Sequence, residues 1–355
     1  ARDSLTIHFT RADIIETVKR FASLPPEAAR EEFELGKDAR DWSVERAQED
    51  LRAHKLSERC LRTVLYRPFD MRHTFYTGTS RGFIGQPQKR IISHLDGKRN
   101  WALCISRFNR QKSLGYFFAT RILTDFHLLD TVADSMTVFP LFLSGESDQQ
   151  DALSLSEGET PNFSAEFLSA VSRALGISKR QVSGLPAGVT PEDIFHYIYA
   201  VFYSPTYRKR YADFLKIDFP RVPLTGSMEL FRALAGLGGE LVALHLMESP
   251  KLDHLITEYV GGRAPVVEKV SWSKNTVWLD KAQSTGFRGV PENVWNFHIG
   301  GYQVCEKWLK DRKGRTLTAD DLTHYQKIVV ALAETIRLMG EIDAVIEKHG
   351  GWPLK

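Results

Sequence analysis

The stretch Tyr66-Arg67-Pro68-Phe69-Asp70-Met71-Arg72-His73-Thr74-Phe75-Tyr76 alternates cations with aromatics. Two strand-like runs overlap its ends, Thr63-Val64-Leu65-Tyr66 and Thr74-Phe75-Tyr76. It lies inside a block, residues 52–121, that holds fifteen Lys or Arg against three acids (Glu58, Asp70 and Asp96), a formal charge of +12. The next stretch, residues 122–170, holds no Lys or Arg and nine acids. Filling a core requires no such asymmetry. Elsewhere in the block the same mixture recurs in Arg107-Phe108-Asn109-Arg110-Gln111-Lys112 and Tyr116-Phe117-Phe118. Arg and Lys neutralise phosphates, while Asn, Gln and the Arg fork match base edges, so the composition suits a nucleic-acid reading surface. A solvated basic face above core aromatics would have the same composition.

Working outward, further strand-like runs are Trp101-Ala102-Leu103-Cys104-Ile105, Gly115-Tyr116-Phe117-Phe118-Ala119 and Met136-Thr137-Val138-Phe139-Pro140-Leu141-Phe142-Leu143. Turns at residues 78–82 and 96–99 divide them, so residues 52–145 are expected to form a basic, β-rich DNA-reading part. Residues 1–51 carry eight basic and twelve acidic side chains. They read as a short strand, Leu5-Thr6-Ile7-His8-Phe9, then a helix capped by Thr10 with Ile14, Ile15, Val18 and Phe21 at helical spacing. Pro25-Pro26 separates a second helical piece, and the whole is expected to be a connector to an upstream domain.

Residues 146–162 are expected to be an acidic linker. A helical part follows over residues 163–260. Phe163, Phe167, Val171 and Leu175 end at Gly176; Thr190-Pro191 starts a helix with Ile194, Tyr197, Ile198, Val201 and Phe202; and Leu230 to Leu244 marks another. Residues 261–300 are expected to be a β segment, with Val266 to Trp272 and Thr276 to Leu279 as strands and Trp295, Phe297 and Ile299 in alternation. The last part, residues 301–355, ends in a long amphipathic helix from about Ala319 to Lys348. The order β, helical, β, helical predicts an α+β fold rather than a doubly wound sheet.

Hydrophobic content of 43% and charged content of 26% are enough for a real core. Cys60, Cys104 and Cys305 lie far apart, which gives neither a zinc pattern nor a disulfide framework. Reduced thiols and the lack of an apolar run long enough to span a bilayer lead to an expected cytoplasmic location, without a membrane partner. No catalytic constellation is visible. Gly236-Leu237-Gly238-Gly239 lies in a leucine-periodic helical region, the wrong context for a phosphate loop. Asp253 and Glu268-Lys269 are the nearest approach to a nuclease metal cluster, but adjacent residues on a strand face opposite ways. No metal site and no catalytic residue is therefore expected in this chain.

Three longer stretches carry a family resemblance. They are Tyr66-Arg67-Pro68-Phe69-Asp70-Met71-Arg72, then Tyr203-Ser204-Pro205-Thr206-Tyr207-Arg208 continuing through Phe214-Leu215-Lys216-Ile217-Asp218-Phe219-Pro220-Arg221-Val222-Pro223-Leu224, and Ile299-Gly300-Gly301-Tyr302-Gln303-Val304 with Lys307-Trp308-Leu309-Lys310-Asp311-Arg312. Together they resemble the C-terminal specificity region of Type ISP restriction-modification enzymes, from about residue 60 to the final helix. The resemblance implies a sequence-specific, double-stranded DNA target-recognition module. It implies that a full-length parent carries a nuclease, a helicase-like ATPase and an adenine-N6 methyltransferase upstream, with S-adenosylmethionine, ATP and Mg belonging to that parent and no cofactor to this chain. The absence of an initial Met fits the expectation of a C-terminal fragment.

Donors and acceptors on expected loops select the candidate DNA contacts. They are Arg107, Asn109, Arg110, Gln111 and Lys112, and the turn with Arg72, Tyr76, Thr77, Ser80, Arg81, Gln86, Gln88, Lys89 and Arg90. Arg208, Lys209 and Arg210, and then Lys274, Asn275 and Arg288, complete the set. Arg67, Asp70 and Arg72 belong to a shared motif, where an internal Arg to Asp pair is the competing role. Two rival functions remain, a non-catalytic protein-docking module using the basic face and a metal-dependent nuclease.

Overall fold

The computed structural model describes residues 3–107, 117–129, 136–144 and 159–354. The chain is α+β and divides into two compact units. The first comprises residues 1–101 and 120–128, the second residues 102–119 and 129–355.

The first unit is built on the opening motif. Leu61–Arg67 and Asp70–Phe75 form an antiparallel hairpin with Arg67 opposite Asp70, joined through Pro68 and Phe69. Phe69 takes a left-handed backbone (φ 63°) and is buried. Proline presets the first turn position, and the apolar ring compensates for the cost of positive φ at the second. Ile7–His8 pairs with Asp70–Phe75, and Leu123–Thr124 runs parallel to Leu61–Arg67, giving a four-stranded sheet.

Helices Arg11–Ser23, Pro26–Glu32 and Val44–Ala53 belong to the same unit. Thr10 caps the first, its hydroxyl accepting from the Asp13 N–H at 3.1 Å. Ile14, Val18, Phe21, Val44, Ala47 and Leu51 share one core with Leu61, Phe75 and Phe83. The division expected at residue 51 thus runs through the middle of a core. The short strand expected over residues 5–9 is only Ile7–His8, preceded by one helical turn, Asp3–Thr6.

In the second unit Phe117–Thr120, Ala102–Ser106 and Met136–Pro140 make a three-stranded sheet. The run expected as one strand over residues 136–143 breaks at Leu141, and Phe142–Ser144 instead pairs with Glu159–Pro161. The end of the expected linker is therefore a strand. The helical core is Pro191–Tyr203, Met228–His245 and Ala319–Lys348. Thr190 and Thr318 each form a reciprocal capping box, with Asp193 and Asp321.

Gly238 has a packing role. A Cβ there would lie 1.9 Å from the His196 carbonyl oxygen, so only glycine lets the Pro191–Tyr203 and Met228–His245 helices approach so closely. A small antiparallel sheet, ordered Glu258–Val260, Gly286–Arg288, Thr276–Trp278, Ser271–Ser273, packs through Phe287 on Tyr325 of the long helix, ring centroids 4.5 Å apart. Two expectations here are corrected. Val266 joins no strand beyond an isolated bridge to Thr316, and Trp295 ends a helical turn, Glu292–Trp295, entered from Pro291. Only the end of the expected alternation is a strand, His298–Ile299 paired with Tyr302–Gln303, since five alternating residues are too few to specify a strand through Trp295.

Candidate nucleic-acid interface

The basic block is distributed over both units, residues 52–101 in the first and 102–119 in the second. Its cations have different fates. Arg67 Nη1 donates to Asp125 Oδ1 and to the Tyr66 carbonyl, each at 2.6 Å. Arg72 is buried, donates to Asp70 Oδ2 at 2.8 and 3.1 Å, and stacks on the rings of Tyr66 and Phe9. Arg62 pairs with Asp96 at 2.6 Å. Arg72, taken from the sequence as a DNA contact, is thus part of the scaffold, because its guanidinium is enclosed with a carboxylate and two rings.

The segment after the hairpin is different. From Thr77 to Gln88 it is a loop pinned from beneath by the Val44–Ala53 helix, and a helical turn, Lys89–Ile92, follows it. Asp50, buried on that helix, accepts from Thr77 Oγ1 at 2.7 Å and from the Phe83 N–H at 2.8 Å, both on Oδ2, with His54 Nδ1 3.2 Å from Oδ1. Gly82 crosses this carboxylate so closely that a Cβ would lie 2.3 Å from Oδ2. Trp42 Nε1 donates to the Phe83 carbonyl at 3.2 Å, and the Arg81 N–H closes the turn onto the Gly85 carbonyl at 2.8 Å. Tyr76 donates its hydroxyl to the Pro87 carbonyl at 3.1 Å. Burial raises its pKa to about 12, so it stays a donor. Tyr76 and Thr77, two of the expected contacts, therefore act as anchors of the loop.

Held in this way, Ser80, Arg81, Gln86, Gln88, Lys89 and Arg90 line one concave surface of about 500 Å³. The structure brings six of the sequence-selected residues together here. It adds two that the sequence reading missed, Arg40 and Asp41. Their segment is net acidic, and nothing in the local pattern places them beside residues 78–90. Arg40 lies 3.2 Å from Asp41, and Arg81 lies 3.9 Å from it. Lys89 and Arg90 make no ion pair among the described residues. The stem of Lys89 lies over Gly78, where an added Cβ would be 3.6 Å from Cδ. His94, just beyond, is held below the usual imidazole range by burial, then by the Lys98 and Arg90 cations.

In the second unit the candidates separate. Arg107 pairs with Asp218 at 3.2 Å and faces Phe219. Asn109, Arg110, Gln111 and Lys112 lie outside the described residues. Arg208 is buried, donates to the Phe202 carbonyl at 2.6 Å and stacks on Tyr203, so it is withdrawn from the surface. Its enclosure has a visible cause. Ser204 caps the following helical turn and is itself held by Asp343 of the long helix at 2.5 Å. Lys209 and Arg210 are exposed.

Lys274 and Asn275 form a two-residue hairpin tip, both left-handed (φ 47° and 56°), between Ser271–Ser273 and Thr276–Trp278. The Asn275 carbonyl accepts from the N–H groups of Gly289 and Val290, each at 2.8 Å, which places exposed Arg288 beside the tip. In this unit Asp253 pairs with Lys327 at 2.8 Å and Glu268 with Lys281 at 3.2 Å. Among the described residues no three of His, Cys, Asp and Glu converge as metal ligands, and no helix is long and apolar enough to cross a membrane.

Comparison with known proteins places this geometry in a family. Among curated protein sequences no significant match was found. Among solved structures, the chain is similar to the DrdV–DNA complex at 22% identity and TM-score 0.68, covering 97% of this chain and 35% of that one. It is similar to the ATP-dependent Type ISP restriction-modification enzyme LlaBIII bound to DNA at 16% identity and TM-score 0.67, covering 96% and 22%. A nuclease-deletion mutant of the Type ISP enzyme LlaGI, in complex with a DNA substrate mimic, matches at 18% identity and TM-score 0.60, covering 96% and 27%. The chain therefore spans between a fifth and about a third of the length of these proteins. At these identities the likeness establishes the fold. The sequence model of the Type ISP C-terminal specificity domain matches residues 1–341, and the chain belongs to that family.

Proposed function

We propose that this chain recognises a double-stranded DNA target for a restriction-modification polypeptide, without catalysing a reaction itself. The observation that carries DNA as the partner is the preorganised surface of the first unit, where Gln86 and Gln88, on a loop pinned to Asp50, stand exposed beside Lys89 and Arg90 at the start of the Lys89–Ile92 helical turn. Donors held in place before binding lose little entropy when they meet a duplex. The family and the DNA-bound state of the similar structures support the same partner. Exposed Lys209, Arg210, Lys274, Asn275 and Arg288 give the second unit its own capacity for contact.

In this reading an upstream adenine-N6 methyltransferase and a nuclease with its translocase act on the site that this chain selects, in the cytoplasm. S-adenosylmethionine, ATP and Mg belong to those parts. The glycine cluster at 236–239 does not supply the loop a methyl donor needs, since it lies within a helix, with Gly238 pressed on the His196 backbone. The test is fluorescence anisotropy of the chain on a randomised duplex pool and on single-stranded DNA over a salt series, with recovery of the bound fraction. The reading requires duplex binding with enrichment of a short sequence. Binding without enrichment would reduce the chain to a DNA-docking domain, and no binding at low salt would reject DNA as the partner.

A further inference from the structure

We infer that the concave surface lined by Arg40, Arg81, Lys89 and Arg90 is a phosphate clamp, which grips the DNA backbone without reading sequence. The inference rests on the DNA-recognition reading and assigns this surface its part in it.

Shape is the first argument. A side chain that reads base edges must reach down a groove about 12 Å wide and about 8.5 Å deep, so a reading element projects from its protein. The residues here line a shallow, open depression of about 500 Å³ instead. A hollow receives a ridge, and the ridge of a duplex is its sugar-phosphate backbone.

Charge is the second. Four cations from two separate stretches, residue 40 and residues 81–90, share one acid, Asp41. Asp41 lies 3.2 Å from Arg40 and 3.9 Å from Arg81, both pairs exposed, which leaves Lys89 and Arg90 without a counter-charge. Cations left without counter-charges on a rigid wall are matched by an anion from outside. The amides of Gln86 and Gln88 on the same wall donate equally well to phosphate oxygens.

Rigidity is the third. Arg81 and Gln88 both hold left-handed backbones (φ 61° and 47°). That conformation is unfavourable for side chains with a Cβ, so the loop keeps it only because Asp50, Gly82 and the Tyr76 to Pro87 bond determine its path. A fixed curve suits a backbone of constant geometry better than it suits variable base edges. Arg40, on a net acidic segment, is the residue that this inference adds.

The test uses the full chain and the variants Arg40→Gln, Lys89→Ala and Arg90→Ala, each checked for wild-type melting. Affinity is measured on the enriched duplex and on an unrelated duplex, with salt dependence on both, and each variant is also used to select from the random pool. Each variant is expected to weaken both duplexes by the same factor, on the order of tenfold. Each should lower the slope of log affinity against log salt by about 0.9 and leave the enriched sequence unchanged. A neutral methylphosphonate at the one linkage that Lys89 meets should reproduce the Lys89→Ala loss and add nothing to it. A changed or relaxed target sequence in any variant overturns the clamp in favour of base reading. Unchanged affinity and slope in all three overturns it in favour of contacts elsewhere, with DNA recognition by the chain intact. Failure of the wild type to bind duplex at all rejects the underlying reading as well.

Discussion

Replacing Asp50 with alanine should unpin the loop over residues 77–88, and the structure sets the size of the effect. The carboxylate is buried, and its Oδ2 accepts two hydrogen bonds, from Thr77 Oγ1 and the Phe83 N–H. Phe83 is in the core, so its N–H would lose its acceptor with no water to replace it, a cost of about 1–3 kcal/mol. The Thr77 hydroxyl is half-buried and regains water, so its bond is worth about 1 kcal/mol. Asp50→Ala should therefore destabilise the first unit by about 2–4 kcal/mol. Thr77→Val leaves the Phe83 bond in place and should cost about 1 kcal/mol. Urea unfolding followed by tryptophan fluorescence gives the stabilities once the other six tryptophans are replaced by Phe in a common background, leaving Trp42, whose indole is bonded to the Phe83 carbonyl. Amide exchange over residues 77–90 reports the loop. If Asp50→Ala costs no more than Thr77→Val, or leaves exchange over 77–90 unchanged, the carboxylate does not hold the loop and the preorganisation argument fails.

Other consequences can be checked with the same protein. Arg72→Ala breaks an enclosed ion pair and should cost about 3–5 kcal/mol of stability, while the salt slope of DNA binding stays at its wild-type value; a reduced slope would make Arg72 a phosphate contact after all. Gly238→Ala sets a methyl group against a backbone carbonyl that cannot move aside. It should lower the melting temperature by the equivalent of about 1–3 kcal/mol or more, and a silent substitution would show that the helices can separate freely. His245, enclosed between Tyr199 (2.5 Å) and Thr335 (2.9 Å), has its pKa pushed down to about 3 by burial and the nearby Arg208 cation. The unfolded chain binds that proton near pH 6.5 and the folded chain does not, so the stabilising contribution is complete above pH 6.5 and is lost as pH falls toward 3. The slope should approach about 1.4 kcal/mol per pH unit, and His245→Gln should flatten a plot of urea midpoint against pH over that window.

Much of the fold followed from the sequence alone, and for a local reason. Thr10 and Thr190 cap helices through bonds that close within three residues, and Pro25-Pro26 separates two helices through backbone sterics. Of the four-residue repeat Phe163, Phe167, Val171 and Leu175, Phe167 and Val171 lie within the Ala165–Ala174 helix, Leu175 caps its end and Phe163 precedes its start. Signals of this range survive without knowledge of the rest of the chain, so the α+β class and the long C-terminal helix were legible. The resemblance of three stretches to the Type ISP specificity region was legible too, and the family match bears it out.

What the sequence could not decide was which cations are free. Arg67, Arg72, Lys89 and Arg90 count alike in a charge sum. Arg67 is taken by Asp125, 58 residues away, and Arg72 is enclosed by Asp70, Tyr66 and Phe9, whereas Lys89 and Arg90 stand exposed on the wall of the hollow. Arg40 was invisible to the charge argument because its own segment is net acidic, and it reaches the surface only through the packing of the Val44–Ala53 helix beneath the loop. The basic block looked continuous along the chain and yet is divided between two units, because a charge run carries no information about which strands pair. Caps and periodicities depend on neighbours a few residues apart, while the accessibility of a charge depends on partners that only the folded chain brings near.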